Sequence, residues 1–232
     1  MKRIGLIGAM ESEVETFCRD FNAVDTDIKG IFKGSFGGKE IYICKSGIGK
    51  VNAAIAVQRL VDIFSVDCII NSGVAGGISE DLSKLDIVIS KRLTYHDFNP
   101  IDILDRNPPY GSMMEADEKM VEKAVLACRT LNKNLEEEGK DTFNSFVGTI
   151  VSGDCFVNSA QKAKQLRDDF DALCTEMEGA AVAHSAKVNG IPFVIIRAIS
   201  DFADEDADAS FESFETVAAK RAAFIVKEIL SK

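Results

Sequence analysis

The sequence is poor in positive charge, in histidine and in proline. Its 27 Lys and Arg residues are outnumbered by 37 Asp and Glu, and the net charge of −10 argues against a nucleic-acid or anionic-membrane partner. The two histidines are too few and too scattered for a zinc site, and no residue cluster implies another metal or an organic cofactor. Four prolines among 232 residues, with 28% charged residues, favour an ordered globular chain.

Long apolar runs and paired cysteines are also missing. No segment reaches the roughly 18 apolar residues of a membrane span. The short apolar run at the N-terminus leads into Glu11, Glu13 and Glu15, which is typical of a first strand and not of a signal peptide. The six cysteines form no CxxC pair and mostly lie among apolar residues. They indicate reduced core thiols, and we therefore expect a cytoplasmic protein.

Strand-like and helix-like patterns alternate along the chain. Predicted strands are 3–9, 31–36, 40–45, 66–71, 86–95, 146–152 and 193–199, and predicted helices are 11–20, 50–64, 115–132, 160–170, 177–188 and 211–230. The remaining segments 73–77, 97–114 and 133–144 are predicted to be a glycine loop, a long loop and a polar surface connection. This order predicts a single α/β domain over residues 1–232, with a mostly parallel sheet.

Asp201 closes the apolar run IPFVIIRAISD, which is predicted to be a buried strand. Burying a carboxylate there is costly unless it is paired with a cation, is protonated, or has a role in a site. The carboxyl ends of strands in open α/β sheets are ligand sites, and a raised pKa suits a general acid. A helix cap or a surface loop is the alternative interpretation. A second acidic segment, 175–181, lies just upstream and opens a predicted helix, so the two are interpreted as one site.

Several glycine motifs are ambiguous when each is taken alone. Segment 5–8 lacks the full dinucleotide-binding pattern, and segment 46–50 lacks P-loop spacing. The latter is better interpreted as a glycine turn that starts a helix and could face a site. The glycines of 71–77 fit either close backbone approach to a ligand or a tight turn.

Other polar and aromatic residues also have two interpretations. Glu11 and Glu13 fit an acidic helix N-terminus. Phe156 follows a predicted strand and either stacks on a flat ring or belongs to the core. The motif 95–97, Tyr-His-Asp, is more typical of a structural role than of a catalytic one, because no supported nucleophile accompanies it.

Seven motifs occur in order along nearly the whole chain. They are IGAMESE at 7–13, KSGIGK at 45–50, NSGVAGG at 71–77, YHD at 95–97, VSGDCF at 151–156, EME at 176–178 and RAISD at 197–201. As a set they resemble bacterial 5′-methylthioadenosine/S-adenosylhomocysteine nucleosidases. The resemblance implies the purine nucleoside phosphorylase-like fold, a three-layer α/β sandwich with a mixed, mostly parallel central sheet, and a homodimer.

The resemblance also implies an activity, which is hydrolysis of the N-glycosidic bond between adenine and a 5′-thio-substituted ribose. Asp201 would protonate adenine N7, and Glu13 would activate the attacking water. Glu178 would bind the ribose hydroxyls, helped by Met177 and Arg197. We expect an apolar strand end around Asp201 and a polar, water-lined loop around Glu13 to separate the pKa values of the two carboxyl groups.

Further substrate contacts are implied in the same way. Phe156 would stack on adenine while the backbone of Val157 binds its edge, and Ser200 would orient Asp201. Met10 and Phe211 would line the ribose and thioalkyl pocket. The other residues assigned to substrate binding are Val74, Ala75, Gly76 and Glu176. Many family members carry a small polar residue where this chain has Val74, so any side-chain hydrogen bond there is lost.

Three alternatives stay open at this point. A phosphorylase of the same fold would need cations for phosphate, and the acidic 10–15 segment disfavours it. Another purine nucleoside, such as futalosine or AMP, could be the substrate. A non-catalytic nucleoside-binding protein would be expected to have lost one of the three carboxylates. The order of preference among methylthioadenosine, S-adenosylhomocysteine and 5′-deoxyadenosine is also open.

Overall fold

The computed structural model describes residues 1–107, 111–204 and 207–231, and the side chains of all of these except 208–213 and 215. Its strands are β1 (Arg3–Gly8), β2 (Val24–Asp25), β3 (Ile31–Phe36), β4 (Lys39–Lys45), β5 (Cys68–Gly77), β6 (Ile87–Tyr95), β7 (Met114–Glu115), β8 (Ser145–Ser152), β9 (Ala172–Glu176) and β10 (Phe193–Asp201). Its helices are α1 (Glu11–Asp20), α2 (Lys50–Phe64), α3 (Glu118–Glu137), α4 (Ala160–Phe170), α5 (Gly179–Val188) and α6 (Ala207–Ser231), with a short 3-10 helix at Ile101–Ile103.

The described strands form one mixed sheet in the order β10-β6-β8-β9-β5-β1-β4-β3-β2, with β7 beside β6. Strand β10 also pairs with β5. This pairing closes a ring of paired strands that consists of β5, β10, β6, β8 and β9. Parallel pairs join β1 to β4 and β5, β5 to β10, β6 to β8, and β8 to β9. Strand β5 thus pairs with strands from both ends of the chain. This supports the single-domain interpretation, which stays a prediction.

Helices cover both faces of the sheet and make the three layers. The apolar sides of α1, α3 and α6 pack with one face of the sheet into one core, and those of α2 and α5 pack with the other face into a second core. In α2 the buried residues Ala53, Val57 and Leu60 recur at helical spacing, which explains why this segment is an amphipathic helix. A smaller cluster lies under α4. The α/β fold with a mixed sheet is confirmed.

Several predicted elements differ from the structure. The segment 73–77 is not a loop, because β5 runs on to Gly77 and pairs with β10 and β9 there. Strand β9 was not predicted, because its five residues are followed within three positions by α5 and leave little room for a strand pattern. Helix α3 begins at Glu118, where the Asp117 carboxylate accepts a hydrogen bond from Met120 N at 2.9 Å and caps the helix.

Helix α3 also continues to Glu137, so the start of the predicted connection 133–144 is helical. Helix α6 begins at Ala207, before the predicted start at Phe211. The predicted loop 97–114 includes the 3-10 helix, and its residues 108–110 lie outside the described residues. Within the part of the chain that the structure describes, no helix combines the length and apolarity that crossing a membrane requires.

Candidate active site

A cavity of about 410 Å³ lies where β1, β5, β8, β9 and β10 end. Ligand sites in α/β proteins lie at the carboxyl ends of strands, as expected for Asp201. The described residues that line it are Ala9, Met10, Glu13, Ile48, Val74, Ala75, Gly76, Cys155, Phe156, Val157, Thr175, Glu176, Met177, Glu178, Ser200 and Asp201. Every predicted site residue is among them except Arg197 and Phe211. The side chain of Phe211 lies outside the described residues, so its predicted role stays a prediction.

The predicted site residues do not include four of these lining residues, namely Ala9, Ile48, Cys155 and Thr175. Ile48 belongs to the glycine turn 46–50, which precedes α2 and does face the site. Cys155 and Thr175 lie in the segments 151–156 and 175–181, each next to a predicted site residue. Ala9 follows β1 directly. The site is therefore built from short segments that follow or end strands.

Asp201 is the last residue of β10 and is 1% exposed. Its Oδ2 accepts a hydrogen bond from Ser200 Oγ at 2.8 Å, and its Oδ1 accepts one from Ala203 N at 2.9 Å. Burial raises the pKa of Asp201, while the hydrogen bonds from Ala203 and Ser200 act in the opposite direction. The net shift favours the protonated acid, as expected for a carboxyl group at an apolar strand end. Ser200 does contact Asp201, as the resemblance implies.

Glu13 lies in the first turn of α1 and is 3% exposed. Its Oε2 accepts hydrogen bonds from Ala9 N at 2.6 Å and Met10 N at 3.1 Å, and its Oε1 accepts one from Val74 N at 3.3 Å. Burial raises the pKa of Glu13, and the charge of Arg197 and the three backbone N–H groups oppose that rise. The expected polar, water-lined loop is therefore wrong, because this carboxyl group is buried against backbone amides.

Glu13 and Asp201 nevertheless differ in the hydrogen-bond donors and charges that surround their carboxyl groups. Three N–H groups and a buried guanidinium favour the ionised form of Glu13. Asp201 has one N–H donor and one hydroxyl donor, and the nearby charge of Asp204 raises its pKa further. The difference between the two groups therefore comes from hydrogen bonds and charge, and not from exposure to water.

Two glycines of β5 make room for these carboxyl groups. A Cβ atom at Gly73 would overlap Glu13 Oε1 and Arg197 Nη1. At Gly76 it would lie 2.8 Å from Asp201 Oδ1 and 3.0 Å from Ala203 Cβ. The glycine-rich motif is not a tight turn, because it lies within β5, and its close approach to a ligand stays a prediction. It leaves a strand without side chains where charged groups must pack against its backbone.

Arg197 lies behind the cavity wall and is 1% exposed. Its Nη2 forms an ion pair with Glu176 Oε2, donates a hydrogen bond to Asn71 Oδ1 at 2.7 Å, and lies 3.6 Å from Glu178 Oε2. Since Arg197 does not line the cavity, the expected direct help in ribose binding is not supported by its position. It instead holds two carboxylates of the wall in place and supplies the positive charge that buried carboxylates require.

Glu176 and Glu178 follow one another along the cavity wall. Glu176 Oε2 accepts hydrogen bonds from Glu178 N at 3.0 Å and Gly179 N at 2.7 Å, at the start of α5. Glu178 Oε1 accepts one from Gly49 N at 2.9 Å. Burial and the neighbouring Glu176 raise the pKa of Glu178 to about 7, although Arg197 lowers it.

The raised pKa of Glu178 predicts a pH-dependent stability. Because the folded-state value of about 7 lies above the ordinary 4.5, the stabilising contribution is complete below pH 4.5 and is lost as the pH rises through 7. We expect the free energy of unfolding of the wild type to fall by about 2.5 kcal/mol more than that of Glu178→Gln between pH 5 and pH 8. Urea unfolding at both pH values measures this difference.

The control for this experiment is Glu137→Gln, because Glu137 lies exposed on α3 in a surface pair with Lys133. It should follow the wild type at both pH values. If the wild type and Glu178→Gln lose stability in parallel, Glu178 does not titrate in this range.

The rest of the wall is mostly apolar. Phe156 is 43% exposed, so the core interpretation of this residue is wrong, and it lies at the cavity together with Val157. Met10, Met177 and Ile48 add further apolar surface. No group of three or more His, Cys, Asp or Glu residues suited to a metal ion occurs among the described residues. The wall therefore combines a few buried carboxyl groups with apolar surface, which suits an uncharged organic ligand.

Comparison with known proteins agrees with this geometry. A nucleosidase for 5′-methylthioadenosine and S-adenosylhomocysteine from Neisseria meningitidis, solved with methylthio-immucillin-A, is 36% identical with a TM-score of 0.88, covering 99% of this chain and 98% of that one. An S-adenosylhomocysteine nucleosidase from Streptococcus pyogenes, solved with 5-methylthiotubericidin, is 33% identical with a TM-score of 0.87. The match covers 99% of this chain and 96% of that one. A futalosine hydrolase mutant from Helicobacter pylori strain 26695 is 29% identical with a TM-score of 0.87. The match covers 100% of this chain and 99% of that one.

The resemblance seen in the sequence motifs is thereby confirmed, together with the purine nucleoside phosphorylase-like fold. The model of the phosphorylase superfamily matches residues 3–231. Because this match extends over almost all of the sequence, the chain belongs to the phosphorylase superfamily.

Proposed function

We propose that the protein is a nucleosidase that hydrolyses the N-glycosidic bond of 5′-methylthioadenosine and S-adenosylhomocysteine, and also of 5′-deoxyadenosine. The observation that carries this proposal is the placement of two buried carboxyl groups, Asp201 and Glu13, on the wall of one cavity. Cleavage of an N-riboside makes the sugar oxocarbenium-like and moves electrons onto the purine. It therefore needs an acid for the base and a carboxylate for the water, as in inverting glycosidases.

Each carboxyl group suits one of the two roles. Asp201, with its pKa raised by burial, holds a proton that it transfers to adenine N7 as the glycosidic bond breaks. Glu13 in its ionised form, favoured by three backbone N–H groups, takes the proton of the water that attacks the anomeric carbon. A raised pKa strengthens the ionised Glu13 as a base.

The substrate-binding roles follow from the same wall. Glu178 accepts hydrogen bonds from the ribose hydroxyls, and Phe156 stacks on adenine with the Val157 backbone at its edge. Met10 and Met177 pack against the ribose and the thioalkyl group. This apolar surface favours a 5′-thioalkyl substituent over a phosphate.

The side chain of Val74 provides only apolar contact, whereas its N–H group donates a hydrogen bond to Glu13.

Hydrolysis is favoured over phosphorolysis by the charges of the cavity. None of the described residues that line it is a lysine or an arginine, and Arg197 is already paired behind the wall. Phosphate binding requires such cations or helix N-termini. A non-catalytic binding protein is disfavoured because Glu13, Glu178 and Asp201 all line the cavity.

The test is product analysis. Purified protein is incubated with 5′-methylthioadenosine in phosphate-free buffer, and adenine and the sugar are separated. Adenine with free methylthioribose supports the proposal. Adenine that is released only after phosphate is added, together with a sugar 1-phosphate, identifies a phosphorylase. Parallel reactions with S-adenosylhomocysteine, 5′-deoxyadenosine and futalosine rank the substrates, and a strong preference for futalosine would replace the proposed substrate.

We also propose that the protein is a cytoplasmic homodimer. The location is supported by the six cysteines, none of which is in a disulfide. The dimer is supported by exposed apolar side chains on α2, where Val51 is 69% exposed and Ile55 is 52% exposed. Light scattering during size-exclusion chromatography tests the mass, and a monomer at micromolar concentration would contradict the dimer.

Replacement of Gly76 tests how closely the acid must be placed. In Gly76→Ala the new Cβ atom would approach Asp201 Oδ1 at 2.8 Å, so the carboxyl group has to move. We expect kcat for methylthioadenosine to fall by about tenfold or more, because a displacement of about 1 Å is that costly. The matched control is Gly77→Ala, whose Cβ atom would lie 3.2 Å from Ile199 Cγ2 and 3.5 Å from the backbone oxygen of Asp201, with no carboxyl atom among its nearest neighbours. Equal rates in both variants would contradict the prediction.

A further inference from the structure

Lys50, the first residue of α2, contacts two aspartates that follow two other strands. Its Nζ lies 2.6 Å from both carboxylate oxygens of Asp97 and 3.7 Å from Oδ2 of Asp154. Asp97 comes two residues after β6, and Asp154 comes two residues after β8. One ammonium group therefore joins three chain segments that are distant in sequence.

Backbone hydrogen bonds close this cluster of Lys50, Asp97 and Asp154. Asp97 Oδ2 accepts from Asp154 N at 2.8 Å, and Asp154 Oδ1 accepts from Lys50 N at 2.8 Å. The side chains of Lys50 and Asp97 are 22% and 27% exposed, so water screens their attraction less than in a surface pair. Although burial raises the pKa of Asp97, the Lys50 ammonium and the Asp154 N–H group hold it below its ordinary value. Asp97 is therefore a stable anion in the cluster.

Two of the joined segments carry substrate-binding groups of the proposed function. Gly49, directly before Lys50, donates its N–H to Glu178 Oε1 at 2.9 Å. Phe156 and Val157 follow Asp154 after one residue and line the cavity. A shift at Lys50 would therefore move both the hydrogen bond to the ribose carboxylate and the ring that stacks on adenine.

The neighbouring residues leave these segments little space to move. A Cβ atom at Gly153 would overlap the ring of His96, so that ring lies directly against the backbone before Asp154. His96 N also donates a hydrogen bond to Ser152 O at 3.0 Å. Gly49 has a φ of 98°, a conformation that favours glycine, and a Cβ atom there would lie 3.1 Å from Asp154 Oδ1. The geometry at Lys50 is thus fixed from several sides.

We propose that Lys50, Asp97 and Asp154 are positioning residues, which orient Glu178 through Gly49 and hold the segment of Phe156 and Val157 against the substrate. None of the three lines the cavity, so they act through those groups and not by contact with the substrate. The cluster gives a function to three motifs, the glycine turn 46–50, the Tyr-His-Asp motif 95–97 and the segment 151–156. This inference rests on the proposed nucleosidase function.

The test compares Lys50→Met with Lys50→Arg in the full-length protein. Lys50→Met keeps the length of the side chain and removes the charge, and we expect the KM for methylthioadenosine to rise about tenfold while kcat changes little. Lys50→Arg keeps the charge and should recover most of the loss. The control is Lys133→Met, because Lys133 forms an exposed pair with Glu137 on α3 and should keep wild-type kinetics. Calorimetric titration with adenine gives an independent reading of binding.

The outcomes distinguish a failure of the proposed nucleosidase function from a failure of the positioning role. If the wild type releases adenine from none of the nucleosides, the proposed function fails. If the wild type is active and Lys50→Met has an unchanged KM, or loses kcat only in proportion to a loss of folded protein, the positioning role is wrong.

Asp97→Asn provides a second route, because it keeps the shape of the side chain and removes its charge. If Lys50→Met does not fold, the KM of Asp97→Asn tests the positioning role instead. Because Lys50 and Asp97 are proposed to act as a unit, the double variant should raise KM no more than the more damaging single variant does. Fully additive effects would overturn the proposal.

Discussion

Asp201→Asn is expected to lower kcat for methylthioadenosine by about a thousandfold and to leave KM nearly unchanged. Asparagine has the size of aspartate, so it can still accept the hydrogen bond from Ala203 N with its amide oxygen. Its amide group can donate a hydrogen bond to adenine N7 but cannot transfer a proton to it. The departing purine then carries its negative charge, and the barrier rises although the bound substrate remains in place.

The measurement for this variant is steady-state kinetics together with the pH dependence of kcat/KM. In the wild type the rate should fall as the pH rises through the raised pKa of Asp201, because the acid form is lost. It should also fall at low pH as Glu13 is protonated. Asp201→Asn should lose the fall at high pH. A suitable control is Asp102→Asn, in an exposed pair with Arg106, which should behave as the wild type.

An Asp201→Asn variant with unchanged turnover would remove the assignment of the general acid. A variant with a large rise in KM and unchanged kcat would instead make Asp201 a binding residue.

The elements of the fold that could be predicted are those whose pattern is local. Strands β1 and β10 are mostly apolar runs, and α2 shows its buried stripe at helical spacing. The glycine segment after Cys68–Asn71 could not be assigned correctly, since glycine favours loops and only pairing with β10 and β9 makes it a strand. The five residues of β9 were missed for the related reason that its partners β8 and β5 are distant in sequence.

The candidate site was predictable as a set of positions, but its electrostatics were not. The strand ends and the family motifs brought Asp201, Glu13 and Glu178 to one place. The burial of Glu13 depends on where α1 packs, and the sequence around it is acidic and polar in appearance. The role of Arg197 depends on which face of β10 it occupies. A buried strand is apolar on both faces, so the sequence could not decide whether this side chain faces the cavity or the carboxylates behind it.

Arg197→Met is the prediction with the largest expected effect on stability. The guanidinium is the cation of a buried group of carboxylates, since it pairs with Glu176, lies 3.6 Å from Glu178 Oε2, and acts by its charge on Glu13. Methionine fills a similar volume but leaves those carboxylates without a counter-charge. Removal of one partner of a buried ion pair costs about 3–5 kcal/mol. We therefore expect the free energy of unfolding at pH 7 to fall by about this amount in urea denaturation.

Two comparisons make this prediction specific to the charge of Arg197. Arg167→Met removes a more exposed pair with Glu80 and should cost less than about 1 kcal/mol. The double variant Glu176→Gln with Arg197→Met should be more stable than Arg197→Met alone, because it removes one of the uncompensated carboxylates. The deficit of Arg197→Met should also shrink as the pH is lowered, since protonation neutralises the same groups. A loss that is independent of pH and is not reduced in the double variant would mean that Arg197 stabilises the fold by packing and not by charge.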